Sequence, residues 1–374
     1  MKFTVSSTQL LALMQSMGRV IAPKNPLQIL ENVLFQLEGN NLTLTASDSE
    51  TTIRTTVEVA GEGDGKVACP QKLLTDTLKE FPEQPLTFSI DDQNFAMNIV
   101  SQNGSYAFVG VNGQEYPEMA QSIDEGAHTF FISAPILLDA LNGTVFCTAD
   151  DELRPVMNGV FFDLDEEKVT LVATDAHRLV RYTNSSVRTD EPCHFILPKK
   201  PANLLRQALA KEEGDVTVSF TDKNVRFVFG STIIICRQIE GRFPNYNAVI
   251  PQQNNNKITV DRLTILNAAK RVAVFSNQGT GLIKLALGEN TIHISAQDID
   301  FSTSAEETLE CSYEGEPMNI GFKAAFLIEL LSAIQSQEVL IELSDPSRAG
   351  LILPFENKES EEIVMLLMPM LLND

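Results

Sequence analysis

Asp175 and His177 stand two residues apart in the segment Ala173-Thr174-Asp175-Ala176-His177-Arg178-Leu179. A carboxylate that orients an imidazole is half of a nucleophilic site. The other half is missing, because no Ser or Cys nucleophile motif lies near them. His177 therefore reads as a structural or binding-surface residue. Two acidic runs, Ala149-Asp150-Asp151-Glu152 and Asp298-Ile299-Asp300, offer oxygen ligands for a cation. In a chain this acidic the first reads as a solvated loop. The second reads as a turn, because Asp298 recurs at the place of Asp48 and Asp175 in a repeat described below. Gly61-Glu62-Gly63-Asp64-Gly65 has glycines enough for a phosphate cradle, but it is acidic and lacks a strand-to-helix entry, so a hairpin turn is expected. There is no Walker A sequence, and none of the four histidines is spaced His-x-x-x-His. The five cysteines (Cys69, Cys147, Cys193, Cys236, Cys311) form no Cys-x-x-Cys pair, which argues against a disulfide framework or a zinc ribbon and for a reducing, cytoplasmic setting. These residues imply no catalytic group, no metal and no cofactor.

The elements that would position any site form a repeat. Three segments open alike, at Phe3-Thr4-Val5-Ser6, Phe130-Phe131-Ile132-Ser133 and Lys257-Ile258-Thr259-Val260, and each precedes a helix-period stretch. A small residue and an aspartate then close a strand pair: Ala46-Ser47-Asp48, Ala173-Thr174-Asp175 and Ala296-Gln297-Asp298. Second helical stretches start near Pro70, Pro198 and Phe322, and late prolines follow at Pro117, Pro244 and Pro369. The interval from aspartate to late proline is 69, 69 and 71 residues. Such agreement marks one module of roughly 125 residues present three times. Boundaries are expected at 127/128 and 253/254, with Ile123-Asp124-Glu125-Gly126 and Gln252-Gln253-Asn254-Asn255-Asn256 as linkers. Within a module, stripes such as Leu10, Leu13, Met14, Met17 and Ile21, or Leu263, Leu266 and Ala269, predict two helices. Short alternating runs between Gly/Asn/Asp turns predict strands. The fold class is α+β: three repeated domains, each of two helices on antiparallel sheet.

Charge qualifies this plan. The chain has 374 residues, enough for more than one core, and a formal net charge of -22, which excludes binding of nucleic acid by bulk charge. The predicted helices are nevertheless rich in Lys and Arg: Arg19, Lys72, Lys79, Lys199, Lys200, Arg206, Lys211, Arg262, Lys270, Arg271 and Lys323. Lys199 and Arg206 are seven apart and share a helical face. An array with its helices on one side collects that charge there. No apolar run reaches the ~20 residues that span a bilayer, and the opening Met-Lys-Phe-Thr-Val does not read as a signal peptide, so no membrane partner is expected.

Three signatures, Ala173-Thr174-Asp175-Ala176-His177-Arg178-Leu179, Gly241-Arg242-Phe243-Pro244-Asn245-Tyr246 and Met368-Pro369-Met370, resemble those of the bacterial DNA polymerase processivity clamps, the beta subunits of DNA polymerase III. The resemblance runs over essentially the whole chain. It implies a head-to-tail homodimeric ring of six domains with helices lining a hole for duplex DNA, held topologically and without sequence preference. Twelve helices of ~10 Å diameter, side by side, leave a hole of ~28 Å. It also implies a non-catalytic processivity factor that tethers the replicative polymerase catalytic subunit, the clamp loader and other proteins bearing a clamp-binding motif. Carried over by position, the partner-peptide pocket comprises Met157, Thr174, Ala176, His177, Arg178, Leu179, Pro244, Val249, Leu366, Met368, Pro369 and Met370, with His177 and Arg178 at its rim. The dimer contact sets Tyr106 and Phe108 against Val274 and Phe275, and Lys24, Lys72, Lys199, Lys200 and Arg206 face DNA. Ala176 stands where the family usually has Gly, Ala248 where a basic residue is common, and the chain continues past Met370 as Leu371-Leu372-Asn373-Asp374. The alternative reading is a monomeric three-module scaffold that never encircles DNA; a hydrolase using His177 and Asp175 comes third.

Overall fold

The computed structural model describes residues 1–22, 24–117 and 126–372. Ile123, Asp124 and Glu125 of the first expected linker, and Asn373 and Asp374 of the tail, lie outside them. Among the described residues there are six α-helices: α1 (Ser7–Gly18), α2 (Gln71–Lys79), α3 (Ala134–Thr144), α4 (Lys199–Ala208), α5 (Arg262–Ala273) and α6 (Ala324–Ala333). They come in three pairs, one pair per repeat. The first helix of each pair follows a strand without a loop: Lys2–Ser6, His128–Ser133 and Asn256–Asp261. Side chains at that junction end the strand and start the helix. Ser6 accepts from Gln9 N, and Asp261 accepts from Thr264 N at 2.7 Å. The apolar stripes are buried, through Leu10, Met14 and Met17 on α1 and Ile265, Leu266, Ala268, Ala269 and Val272 on α5. Leu263, expected on that stripe, is half exposed because it sits one position off it.

The repeated aspartates do the same work three times. Asp48 Oδ1 accepts from Glu50 N and Thr51 N at 3.1 and 2.7 Å. Asp175 Oδ1 accepts from His177 N and Arg178 N at 2.9 and 3.0 Å. Asp298 Oδ1 accepts from Asp300 N and Phe301 N at 2.9 and 3.2 Å. Each carboxylate closes the turn into the next strand, so Asp298-Ile299-Asp300 is the turn expected of it. The glycine-rich run is not the hairpin turn expected of it: Gly63-Asp64 links strand Ala60–Glu62, which pairs with Lys2–Ser6 in the five-stranded sheet, to strand Gly65–Pro70, which pairs with Asn32–Glu38 in a nine-stranded sheet.

Two compact units emerge, Met1–Leu138 with Asn203–Gln238, and Asp139–Ala202 with Ile239–Asp374. Their boundaries cut through the middle repeat, because its strands are shared out. In the first unit, Thr51–Glu58 pairs antiparallel with Thr232–Arg237, which draws three more middle-repeat strands into a nine-stranded sheet. In the second unit, Arg178–Asn184 pairs with Glu361–Leu367, joining the remaining middle-repeat strands to the third repeat in another nine-stranded sheet. Both seams follow one rule: the strand after the aspartate turn pairs with the strand before the next repeat's late proline. One strand of each kind is left over. Thr303–Glu310, after Asp298, is the outermost strand of a four-stranded sheet. Ser105–Val109, before Pro117, is the outermost strand of a five-stranded sheet. The second expected linker is partly structural. Asn254 is buried and donates to Glu342 O at 3.0 Å, and Asn256 opens a strand and donates to Ser344 O at 2.9 Å.

Ile53 and Ile234 face each other across the first seam and are buried. Ile234→Ala is expected to lower the stability of that sheet by about 2–5 kcal/mol. Faster amide hydrogen exchange in Thr232–Arg237 and Thr51–Glu58 is the readout; unchanged protection would contradict the seam's role.

Candidate partner-binding site

The second seam gathers most of the residues expected in a pocket. Its register sets Leu179 opposite Leu366 and Arg178 opposite Leu367. Thr174 Oγ1 donates to Arg178 O at 2.8 Å and accepts from Ala176 N at 3.1 Å, folding the turn tightly. Ala176 consequently has φ 74°, a left-handed conformation that glycine adopts without strain. Past the seam, Met368 N donates to His177 O at 2.9 Å and Met370 N to Gly321 O at 2.8 Å. The end of the chain is thus pinned between the Asp175 turn and strand Met318–Lys323. Only glycine fits at 321, since a Cβ there would lie 2.8 Å from Met370 O.

The floor of the site is apolar. Leu179 and Leu366 are buried in one cluster with Phe161, Phe243 and Ile250, and Phe161 stacks on Phe243 at 4.7 Å. Pro244 and Val249 lie between Phe243 and Ile250 and are exposed, Val249 by 55%. Met368 is 42% exposed and Leu371 82%. Val156 packs against the same cluster and carries the half-buried Met157 beside it. Val249 adjoins Ile250 and Met368 lies two residues past Leu366, so exposed apolar groups from separate segments flank members of one buried cluster, an arrangement suited to receiving apolar side chains of a partner.

Arg178 differs from its expected place at the rim. Its side chain is 7% exposed. Nε donates to Asp175 at 3.0 Å, one Nη to the Glu329 carboxylate and the other to Phe146 O at 3.1 Å. The guanidinium lies 4.4 Å from the Phe326 ring centroid and 5.5 Å from that of Phe146. Three donors and a flat face are spent on framework, so Arg178 ties the turn to α6. His177 remains exposed and stacks on Phe326 at 6.0 Å, while Lys323 Nζ lies 4.7 Å from the same ring. Sequence reading missed Phe326, Glu329, Phe146 and Gly321 as members of this region. Glu329 is 151 residues from Arg178, and its only signal was its place on a repeated helix.

The other expected residues lie elsewhere. Tyr106 and Phe108 are on the free Ser105–Val109 edge, with Tyr106 meeting Phe81 edge to face at 5.2 Å. Val274 and Phe275 are exposed just past α5. Lys24, Lys72 and Lys200 are exposed; Arg206 and Lys199 are half-buried. Lys199 Nζ is 2.6 Å from Asp150, and Arg154 Nε is 2.8 Å from Asp151, so the Asp150–Glu152 run is engaged with cations of the chain itself. Burial pushes the thiols of Cys69, Cys147 and Cys236 far above their ordinary value, which keeps them protonated and unreactive.

Three copies of one α+β module, joined by strand pairing, with an apolar region at the second seam, have the architecture of the sliding-clamp class. Comparison with known proteins agrees at each repeat. Residues 1–120 match the N-terminal domain of the DNA polymerase III beta subunit, 132–245 its central domain and 247–370 its C-terminal domain. The beta sliding clamp of Synechococcus elongatus is 27% identical over 98% of both chains, and that of Staphylococcus aureus 25% over 99% of both. A solved sliding clamp from Bartonella birtlesii, bound to griselimycin, is 30% identical with full coverage of both chains and a TM-score of 0.92. The chain belongs to the DNA polymerase III beta-subunit family, the bacterial sliding clamps. It is a DNA sliding clamp, a processivity factor and not a catalytic subunit. No helix among the described residues is long and apolar enough to cross a membrane.

Arg178→Ala is expected to cost about 1–3 kcal/mol of stability, because Asp175 Oδ2 and Phe146 O lose a charged donor in a partly buried position. Urea denaturation measures this. A residue that only touched a ligand at the rim would leave stability within about 0.5 kcal/mol.

Proposed function

We propose that two copies of this chain close head to tail, with the Ser105–Val109 edge of one pairing with the Thr303–Glu310 edge of the other. The leftover strands carry this reading, for they are the two partners that the seam rule requires and one chain does not bring together. Tyr106 and Phe108 then meet Val274 and Phe275 of the second copy. Domains bounded at 127/128 and 253/254 repeat six times around the ring, in the cytoplasm. Lys24, Lys72, Lys199, Lys200 and Arg206 face duplex DNA and attract phosphates without reading bases, which is compatible with sliding. The net charge of -22 discourages DNA from adhering elsewhere on the protein.

The pocket over Leu179 and Leu366 takes short motifs from the polymerase catalytic subunit, the clamp loader and other partners. Exposed Val249 and Met368 offer an apolar surface, and methionine repacks around different ligands. Burial of two large side chains, each about 1.5–3 kcal/mol, suits micromolar affinity once association costs are subtracted.

Val249→Ala combined with Met368→Ala is expected to weaken a fluorescent peptide bearing Gln-Leu-x-Leu-Phe by about tenfold or more, with the dimer mass unchanged. Equal affinity in both proteins would move the partner site elsewhere. Separately, Lys199→Ala, Lys200→Ala and Arg206→Ala together should shorten retention on closed circular DNA. The log–log salt slope should fall by about 0.9 for each phosphate that the variant no longer neutralises. An unaltered slope would remove these residues from the DNA-facing surface.

A further inference from the structure

The turn of the third repeat carries two large apolar side chains in the open. Ile299 is 80% exposed and Phe301 71%. Their carrier is well held. Asp298 is buried, Oδ1 closes the turn, and Oδ2 accepts from Asn277 Nδ2 at 3.2 Å. Asn277 lies two residues past Phe275, so this hydrogen bond tethers the turn to the segment that carries exposed Val274 and Phe275.

The occupied seam tells what this turn should meet. There, the third residue after the aspartate is Arg178, which lies on Phe326 and pairs with Glu329, both on α6 of the following repeat. The third residue after Asp298 is Phe301. The helix equivalent to α6 in the first repeat is α2. Pairing buried Leu327 with buried Leu74, and Leu331 with Leu78, sets Leu73 at the place of Phe326 and Asp76 at that of Glu329. Leu73 is 50% exposed. Leu73 and Thr77 share one face of α2, and just past the end of that helix Phe81 packs on Tyr106 of the free edge.

We infer that, in the ring interface, Phe301 of one copy packs on Leu73 of the second copy, with Ile299 beside it, so that apolar packing replaces the Arg178–Glu329 ion pair of the internal seam. This rests on the head-to-tail reading and adds to it a turn and a helix face. Hydrophobic anchors at the centre of an interface carry a large part of its affinity.

Sedimentation velocity of the full-length chain tests it. Ile299→Ser with Phe301→Ser should raise the dimer dissociation constant about tenfold or more, with the far-ultraviolet spectrum and melting temperature retained. Val274→Ala with Phe275→Lys serves as the control. A dimer weakened by the control but not by the turn variant would overturn this inference and leave the head-to-tail reading standing; a dimer unaffected by either would overturn both. A second arm places Leu73→Cys and Phe301→Cys in a Cys311→Ser background. Mild oxidation should yield a covalently closed dimer on non-reducing gels. A monomer band alone, with the dimer intact in solution, would also overturn the pairing.

Discussion

One interaction recurs and the rest of the fold depends on it: antiparallel pairing between the strand after an aspartate turn and the strand before the next repeat's late proline. It occurs between Thr51–Glu58 and Thr232–Arg237, and again between Arg178–Asn184 and Glu361–Leu367. Backbone hydrogen bonds supply it, and backbone groups are the same in every repeat. Side chains are then free to differ from seam to seam. That freedom lets one internal seam be plain sheet while the other carries the candidate partner site.

At the second seam the turn is more than a connector. Asp175 holds it closed, Thr174 tightens it, and Arg178 anchors it to α6 through Glu329 and the Phe326 face. A partner motif placed over Leu179 and Leu366 would meet a surface already organised before binding, which lowers the entropy cost of association. Ala176 at φ 74° keeps some strain in that turn, where glycine would carry none.

Electrostatics divide labour in the same way. The chain is strongly acidic, yet several of its acids are occupied by neighbouring cations, as with Lys199 and Asp150, or Arg271 and Glu307 at 2.6 Å. Surface pairs of this kind contribute little stability. Their consequence is a milder local field, which favours weak and mobile association with a polyanion over tight binding.

Sequence alone determined the repeat, the α+β class, the three aspartate turns and the helix starts near Pro70, Pro198 and Phe322. Each of these is local: a capping side chain, a period of 3.6 or 2, or a turn residue acts within a few positions of itself. The signatures around Asp175, Pro244 and Met368 also marked the neighbourhood of the site. What only the tertiary structure decided is which groups stay accessible within it. Arg178 became framework because Glu329, Phe326 and Phe146 converge on it from elements distant in the chain. The division of the middle repeat between two sheets was equally invisible, as was the free edge at Thr303–Glu310, whereas the alternating apolar residues of Ser105–Val109 already read as an edge strand open to pairing. Strand alternation tells which face of a strand is buried, but not which strand lies beside it; that is settled by long-range pairing, to which no single segment of sequence holds the key.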